Sequence, residues 1–245
     1  MNREINSIKG FINIREADFL YQLAKKTVEQ FGRDSVLCEI GSYCGKSTVS
    51  IASALKEKNG GVLYAIDWHQ GSPHLPGFDA GTYQSTHRDL ENNLEKFGVQ
   101  DYVKNILNRS EDSIHLVPEK MHFLWIDGQH DFKSVKADCD NFAKKIVDSG
   151  YLVFHDACWT EWVEPFQFIN KEILDNPHYN LFAVMENIIA FRKEKNKANK
   201  TMLVILRTLC SFVSGSGRLF YKRLISFVLR QITFLIYLLN QKFMK

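Results

Sequence analysis

Cys38-Glu39-Ile40-Gly41-Ser42-Tyr43-Cys44-Gly45-Lys46-Ser47-Thr48 is the stretch that decides the fold. Val36–Ile40 is a short apolar run that reads as a buried strand, and the glycines after it break the strand into a turn. The turn opens a helix predicted from about Ser47 to Lys56, with Ser47 and Thr48 available to cap it. Such a strand, turn and helix present backbone N–H groups and a helix N-terminus to an anion, with the Glu39 carboxylate beside them. A zwitterion such as an amino acid wants both partners, whereas phosphate loops rarely place an acid there. Gly45-Lys46-Ser47 resembles the end of a P-loop, but the first glycine of that motif would fall on Ile40. A tight structural turn is the competing reading.

Working outward, Asn59-Gly60-Gly61 ends the helix and Val62–Asp67 reads as the next strand. A loop from His69 to Gly81 leads into a polar helix predicted over Tyr83–Phe97. Tyr102–Leu107, Phe123–Ile126 and Tyr151–Phe154 read as further strands, and a helix is predicted over Phe132–Val147. Strands that alternate with helices pair in parallel through right-handed crossovers. Tyr179–Met185 and Asn187–Phe191 are nearly contiguous, so they should close the sheet as an antiparallel hairpin. The predicted class is α/β: a Rossmann-like, doubly wound, seven-stranded sheet finished by a hairpin. Residues 1–30 are expected as an N-terminal helical extension, 31–192 as the main domain, and 193–245 as a basic linker and helical tail.

The chain has 245 residues, 45% hydrophobic and 24% charged, which excludes a disordered, collagen-like or disulfide-scaffold protein. Its net charge of +3 is a cancellation: residues 1–191 carry −8 and residues 192–245 carry +11. Cys38, Cys44, Cys139, Cys158 and Cys210 form no C-x-x-C pair, and point to a reducing compartment and small buried hydrophobes. The polar opening Met1-Asn2-Arg3-Glu4 lacks the apolar core of a secretory signal, so a cytoplasmic protein is expected. No nucleic-acid partner is expected, and self-association as a homo-oligomer stays open.

Polar residues gather where the strands end, the edge at which open α/β sheets bind ligands. Asp67 closes the second strand, where an acid accepts from ribose hydroxyls; a turn-capping Asp is the alternative. Ser110 and Glu111 follow the third strand. Asp127 ends the fourth, in Ile126-Asp127-Gly128-Gln129-His130, and Asp156 ends the fifth, in Phe154-His155-Asp156. Two carboxylates on adjacent strands can share a hard divalent cation, and Mg2+ needs few protein ligands. His130 suits a general base beside a bound hydroxyl. Trp159 and Trp162 read either as walls of an acceptor pocket or as core, and the loop with His74 and Phe78 as a lid or a plain surface loop.

These motifs resemble those of catechol O-methyltransferase and its relatives, the class I S-adenosylmethionine-dependent methyltransferases, over roughly residues 30–192. The resemblance implies S-adenosyl-L-methionine as cofactor. Glu39, Gly41, Ser42, Tyr43 and Gly45 would surround its methionine moiety, with Ser47 at the carboxylate. Asp67 would hold the ribose, Ser110 and Glu111 the adenine, and Asp127 would border the cofactor. The Asp-x-x-His block with a later acid is similar to the metal-dependent macrocin O-methyltransferases and the cephalosporin hydroxylase-like proteins. By that likeness Asp127 and Asp156 hold the metal and His130 takes the proton. Ala157 follows Asp156 where catechol methyltransferases carry Asn, so His155 or water would complete the shell. The implied reaction is O-methylation of a sugar-like or other polar small molecule. A hydroxylase-type relative and a non-catalytic, membrane-tethered scaffold are the alternatives.

Beyond the basic run Lys193–Lys200 the composition turns apolar. Lys222, Ser226, Arg230 and Thr233 recur at helical spacing as one polar stripe among Leu, Ile, Phe and Val. That is the pattern of an in-plane anchor on an anionic membrane surface through residues 201–245, on the inner face of a membrane. Docking on the acidic body or on a partner is the alternative.

Overall fold

The computed structural model describes residues 3–70, 84–157 and 163–194. The strands are β1 (Val36–Ile40), β2 (Val62–Ile66), β3 (Val103–Ile106), β4 (Met121–Ile126), β5 (Ile146–Phe154), β6 (Tyr179–Met185) and β7 (Ile188–Lys193). They form one seven-stranded sheet in the order β3-β2-β1-β4-β5-β7-β6. β1 to β5 pair in parallel, and β7 inserts antiparallel between β5 and β6. The order reverses at β1, whose neighbours are β2 and β4, so the crevice beyond its C-terminal end is the ligand-binding place of such sheets.

The helices are α1 (Ile14–Phe31), α2 (Lys46–Lys58), α3 (Gln84–Phe97), α4 (Phe132–Phe142) and α5 (Val163–Phe168). Strand side chains alternate between two faces, and each face has its own core. Leu37, Phe123, Trp125, Tyr151 and Val153 pack with α1 and α2 residues such as Leu20, Ala24, Ile51 and Leu55. Cys38, Leu124, Ile126, Leu152 and Phe154 pack on the other side with Val135, Phe142 and Phe168. Both faces are covered, which is why the central strands are apolar throughout instead of alternating. Cys38, Cys44 and Cys139 are buried and unbridged, as their spacing suggested.

Several boundaries differ from the sequence-based expectation. The helix predicted through Val147 stops at Phe142, followed by a single 3-10 turn, Ala143–Lys145. Ile146 pairs with Met121 and already belongs to β5; an amphipathic pattern cannot show that the next apolar residue is claimed by a neighbouring strand. Ser47 and Thr48 do not cap α2. The N-cap is Gly45, in the left-handed region at φ 87, and it offers no side chain to the first turn. By contrast α1 starts in a full capping box: Asn13 accepts from the Arg15 and Glu16 amides, and Glu16 accepts from the Asn13 amide.

Among the described residues no helix is long and apolar enough to cross a membrane. Trp159, Trp162, the loop residues His74 and Phe78, and the amphipathic tail lie outside the described residues.

Candidate active site

Gly41 shows how β1 is drawn against β4. Its φ is 92, and a Cβ there would stand 2.1 Å from the Asp127 carbonyl oxygen. The glycine therefore admits the backbone of Asp127, which in turn donates its amide to the Ile40 carbonyl at 2.9 Å. Gly45 is similarly filled from within the chain, since a Cβ would meet Leu90 at 2.5 Å. Both glycines close the turn onto protein and leave the α2 N-terminus bare of any side-chain cap.

Glu39 is fully buried. Its Oε2 accepts from the Thr48 hydroxyl at 2.6 Å, so Thr48 serves the acid and not the helix. Oε1 has no hydrogen-bond partner, nor has the buried Ser42 hydroxyl. Burial pushes the Glu39 carboxyl up to about 7, against the downward pull of the Ser47 and Thr48 hydroxyls. An orphaned carboxylate oxygen, an orphaned hydroxyl and an uncapped helix start are what a bound amino-acid moiety would satisfy. The loop fits the methionine end of the implied cofactor.

Asp67 is bound to this same loop. Its Oδ2 accepts from the amides of Ser42 at 3.0 Å and Tyr43 at 2.8 Å, and Oδ1 accepts from His69 at 2.7 Å. The carboxylate thus braces the Gly41–Gly45 turn from the end of β2, the capping role named as its alternative. Tyr43 takes φ 47 and stacks near Phe11, with ring centroids 5.6 Å apart. Ser110 donates to Asp138 at 2.5 Å, which turns its hydroxyl towards α4. Glu111 pairs with Arg109 at 3.6 Å on the surface. Asp138, absent from the sequence-based site, is buried among these groups, and burial pushes its carboxyl up to about 6.

The ends of β4 and β5 bring Asp127, His130 and Asp156 together, with one potential ligand atom from each lying within 4.8 Å of the others. His130 Nε2 is 2.8 Å from Asp156 Oδ2 and 3.8 Å from Asp127 Oδ1. Asp156 is presented by a left-handed backbone, φ 48, a conformation that Asp tolerates better than most residues. Burial works to lower the His130 imidazole, but hydrogen bonds and charge from Asp127 and Asp156 outweigh it and raise it to about 9. Burial likewise opposes ionisation of Asp156, yet its contacts with His130 and His155 hold it well below the usual carboxylate range. Two acids and an imidazole, compensated by protonated histidine, form a donor set a divalent cation could enter by displacing that charge. The residues present fit a metal.

His155 sits behind this group and is 4% exposed. Its Nδ1 is 2.9 Å from Asp127 Oδ1 and 3.3 Å from Asp156 Oδ2, and its Nε2 is 3.6 Å from Glu16 Oε1. Both ring nitrogens face carboxylates of the chain. Burial would lower this imidazole, but the Asp127 charge and contacts with Asp127, Asp156 and Glu16 raise it well above the ordinary value. Glu16, from α1, was not anticipated at all. In the sequence, Asn13-Ile14-Arg15-Glu16 signals a capping box, and nothing in it signals a second role.

Known proteins share this domain and this fold. Residues 38–157 match a family described as a methyltransferase domain. The uncharacterized protein y4gI of Sinorhizobium fredii is 23% identical over 137 residues, which is 52% of this chain. The match covers only 14% of that protein's own length. Among solved structures, the O-methyltransferase NovP superposes with a TM-score of 0.61 at 15% identity, over 75% of this chain and 81% of its own. An O-methyltransferase from Bacillus cereus, solved with SAH, gives 0.58 at 16% identity over 77% and 86%. TomG from Streptomyces achromogenes, in complex with SAM, gives 0.58 at 14% over 76% and 82%. At such identities the structural likeness speaks for the fold alone, and the family match spans the segment from Cys38 to Ala157 that carries both candidate sites except Glu16. By its family match and its sheet order, the chain carries, over residues 38–157, a methyltransferase domain with the seven-stranded fold of the class I S-adenosylmethionine-dependent type.

Proposed function

We propose that the protein methylates a hydroxyl group of a polar small molecule, using S-adenosylmethionine and a divalent cation. The observation that carries this reading is the convergence of Asp127, His130 and Asp156 at the sheet edge adjoining the Gly41–Gly45 turn. Glu39 would accept from the cofactor's ammonium, and the first-turn amides of α2 around Ser47 would receive its carboxylate. Asp67, Ser110 and Glu111 lie at the neighbouring strand ends, the ribose and adenine side. The cofactor supplies an electrophilic methyl group, which needs alignment with the acceptor oxygen more than it needs a protein nucleophile.

Asp127 and Asp156 would hold the cation, with His130 in reach of the same point. A bound divalent ion lowers the pKa of an alcohol or water oxygen and orients it. His130 Nε2 is the group placed to remove the acceptor's proton. The two carboxylates that hold His130 at about 9 would no longer do so with their charge neutralised, and the imidazole would return towards its ordinary range, where a base can work at neutral pH. Asp156 Oδ2, 2.8 Å from Nε2, keeps the ring beside the point where the cation would be held.

The test is methyl transfer from labelled S-adenosylmethionine into lipid and saccharide extracts, with Mg2+ and with EDTA. Labelled product that depends on Mg2+ and is lost in Asp156→Asn supports the reading. Turnover that EDTA leaves unchanged would remove the metal from it, and failure to bind millimolar S-adenosylmethionine by calorimetry would remove the reaction. The apolar, basic tail leads us to place the enzyme on an anionic membrane surface, where a lipid-linked saccharide is a natural acceptor.

A further inference from the structure

We infer that Glu16 and His155 are positioning residues: a buried carboxylate–imidazole relay that holds Asp127, and with it Asp156, in the geometry of the metal-binding group. This rests on the function proposed above. His155 stands at the end of β5, where a further metal ligand is expected from sequence, but its surroundings give it another task. Nδ1 is 2.9 Å from Asp127 Oδ1, and Nε2 is 3.6 Å from Glu16 Oε1. The side chain is 3% exposed and that of Glu16 is 1% exposed. Nδ1 is held by Asp127 within hydrogen-bond distance, whereas Nε2 has no hydrogen-bond partner and faces the Glu16 carboxylate at ion-pair distance, so the ring is turned away from the metal-binding point and has no path to rotate in a packed interior.

Glu16 in turn is fixed from both sides. Oε2 accepts from the Asn13 amide at 2.9 Å, and Oε1 accepts from the Asn187 amide at 3.1 Å, in the turn between β6 and β7. The start of α1 and the terminal hairpin therefore meet at one carboxylate, which faces the histidine that contacts Asp127. Trp125, ring centroid 5.5 Å from His155, packs beside it. Carboxylate–imidazole partners behind a metal ligand fix its orientation, and their loss commonly weakens metal binding 10- to 100-fold.

The test uses the full chain labelled with 15N-histidine, without metal and then titrated with Mn2+ alone. The relay predicts exchange-protected imidazole N–H signals from His155. Asp127→Asn should shift the Nδ1 signal, and Glu16→Gln the Nε2 signal. Glu16→Gln and His155→Gln should each weaken Mn2+ binding at least about tenfold, and the double variant should lose little more, because the two act as one unit. Melting curves identify any variant that fails to fold, and Asp127→Asn, at the more open end, still reports on the Nδ1 contact. Three results would overturn the relay: no protected signal, a signal indifferent to both neighbours, or lost Mn2+ affinity in His155→Gln with full affinity in a folded Glu16→Gln. Coupled imidazole signals in a protein that binds no Mn2+ would uphold the relay and overturn the metal reading instead.

Discussion

Replacing Glu39 with glutamine should make the protein more stable above neutral pH and a poorer binder of its cofactor. Glu39 is fully buried, and one of its oxygens lacks a partner, so its carboxyl is held at about 7 instead of its ordinary 4.5. Between those two values the folded chain keeps a proton that the unfolded chain has released. Stability therefore falls as pH rises through this window and levels off above about 7. Each tenfold step is worth about 1.4 kcal/mol, so the ionised side chain costs the fold on the order of 3 kcal/mol at pH 8. Glu39→Gln has nearly the same shape, can still accept from Thr48, and cannot ionise. Its advantage over the wild type should grow from near zero at pH 4.5 to about 3 kcal/mol at pH 8, or roughly 6–12 °C in Tm for a chain of this size. Asp138, raised to about 6, titrates with the same sign, but in both proteins, so it drops out of the difference. Urea titrations followed by tryptophan fluorescence at half-unit pH intervals measure it. A stability difference that stays flat from pH 4.5 to 8 would refute the reasoning, as would a less stable variant at pH 8. Affinity for S-adenosylmethionine should drop at least about tenfold, since a buried charged partner is lost.

Other outcomes follow from the same geometry. His130→Ala and Asp127→Asn should abolish methyl transfer while changing cofactor affinity less than about threefold by calorimetry, because neither belongs to the Gly41–Gly45 turn. Gly41→Ala should destabilise by about 2–4 kcal/mol in urea, since its Cβ would collide with the Asp127 carbonyl at 2.1 Å and φ is 92. His155 is held well above its ordinary value, so the stability it contributes is fully present below about pH 6.5 and is lost only as pH rises through its elevated folded value. His155→Gln should accordingly flatten the alkaline limb of the stability curve. The full chain should sediment with anionic liposomes at low salt, less so at high salt, and not at all after deletion of residues 201–245.

The local pattern made much of the architecture legible. Val36–Ile40, the glycine turn and the near-contiguous final strands each carry a short-range signal, and seven strands with a reversed ending follow from their succession. Asp127 and Asp156 were readable because an acid at the end of an apolar run lands at the binding edge whatever the packing. The end of the helix before β5 was not readable, because pairing of Ile146 with Met121 decided it. Ser47 and Thr48 looked like caps because hydroxyl residues after a glycine usually are, yet Thr48 is spent on Glu39, a contact made only once the strand and helix are packed.

By itself, then, the amino-acid sequence determined the fold class, the strand–turn–helix around Gly41–Gly45 and which acids reach the sheet edge, since period, turn chemistry and strand ends are local properties of the chain. Tertiary structure decided what those groups do to one another. It brought Glu16, more than a hundred residues distant in the chain, to face His155, and it set His155 behind Asp127 with Nδ1 on that carboxylate and Nε2 towards Glu16. It also made Gly41 and Gly45 points of contact between segments, against Asp127 and Leu90. Contacts of this kind depend on distances across the packed interior, where low dielectric and fixed neighbours set charge and orientation, and no spacing along the chain encodes them.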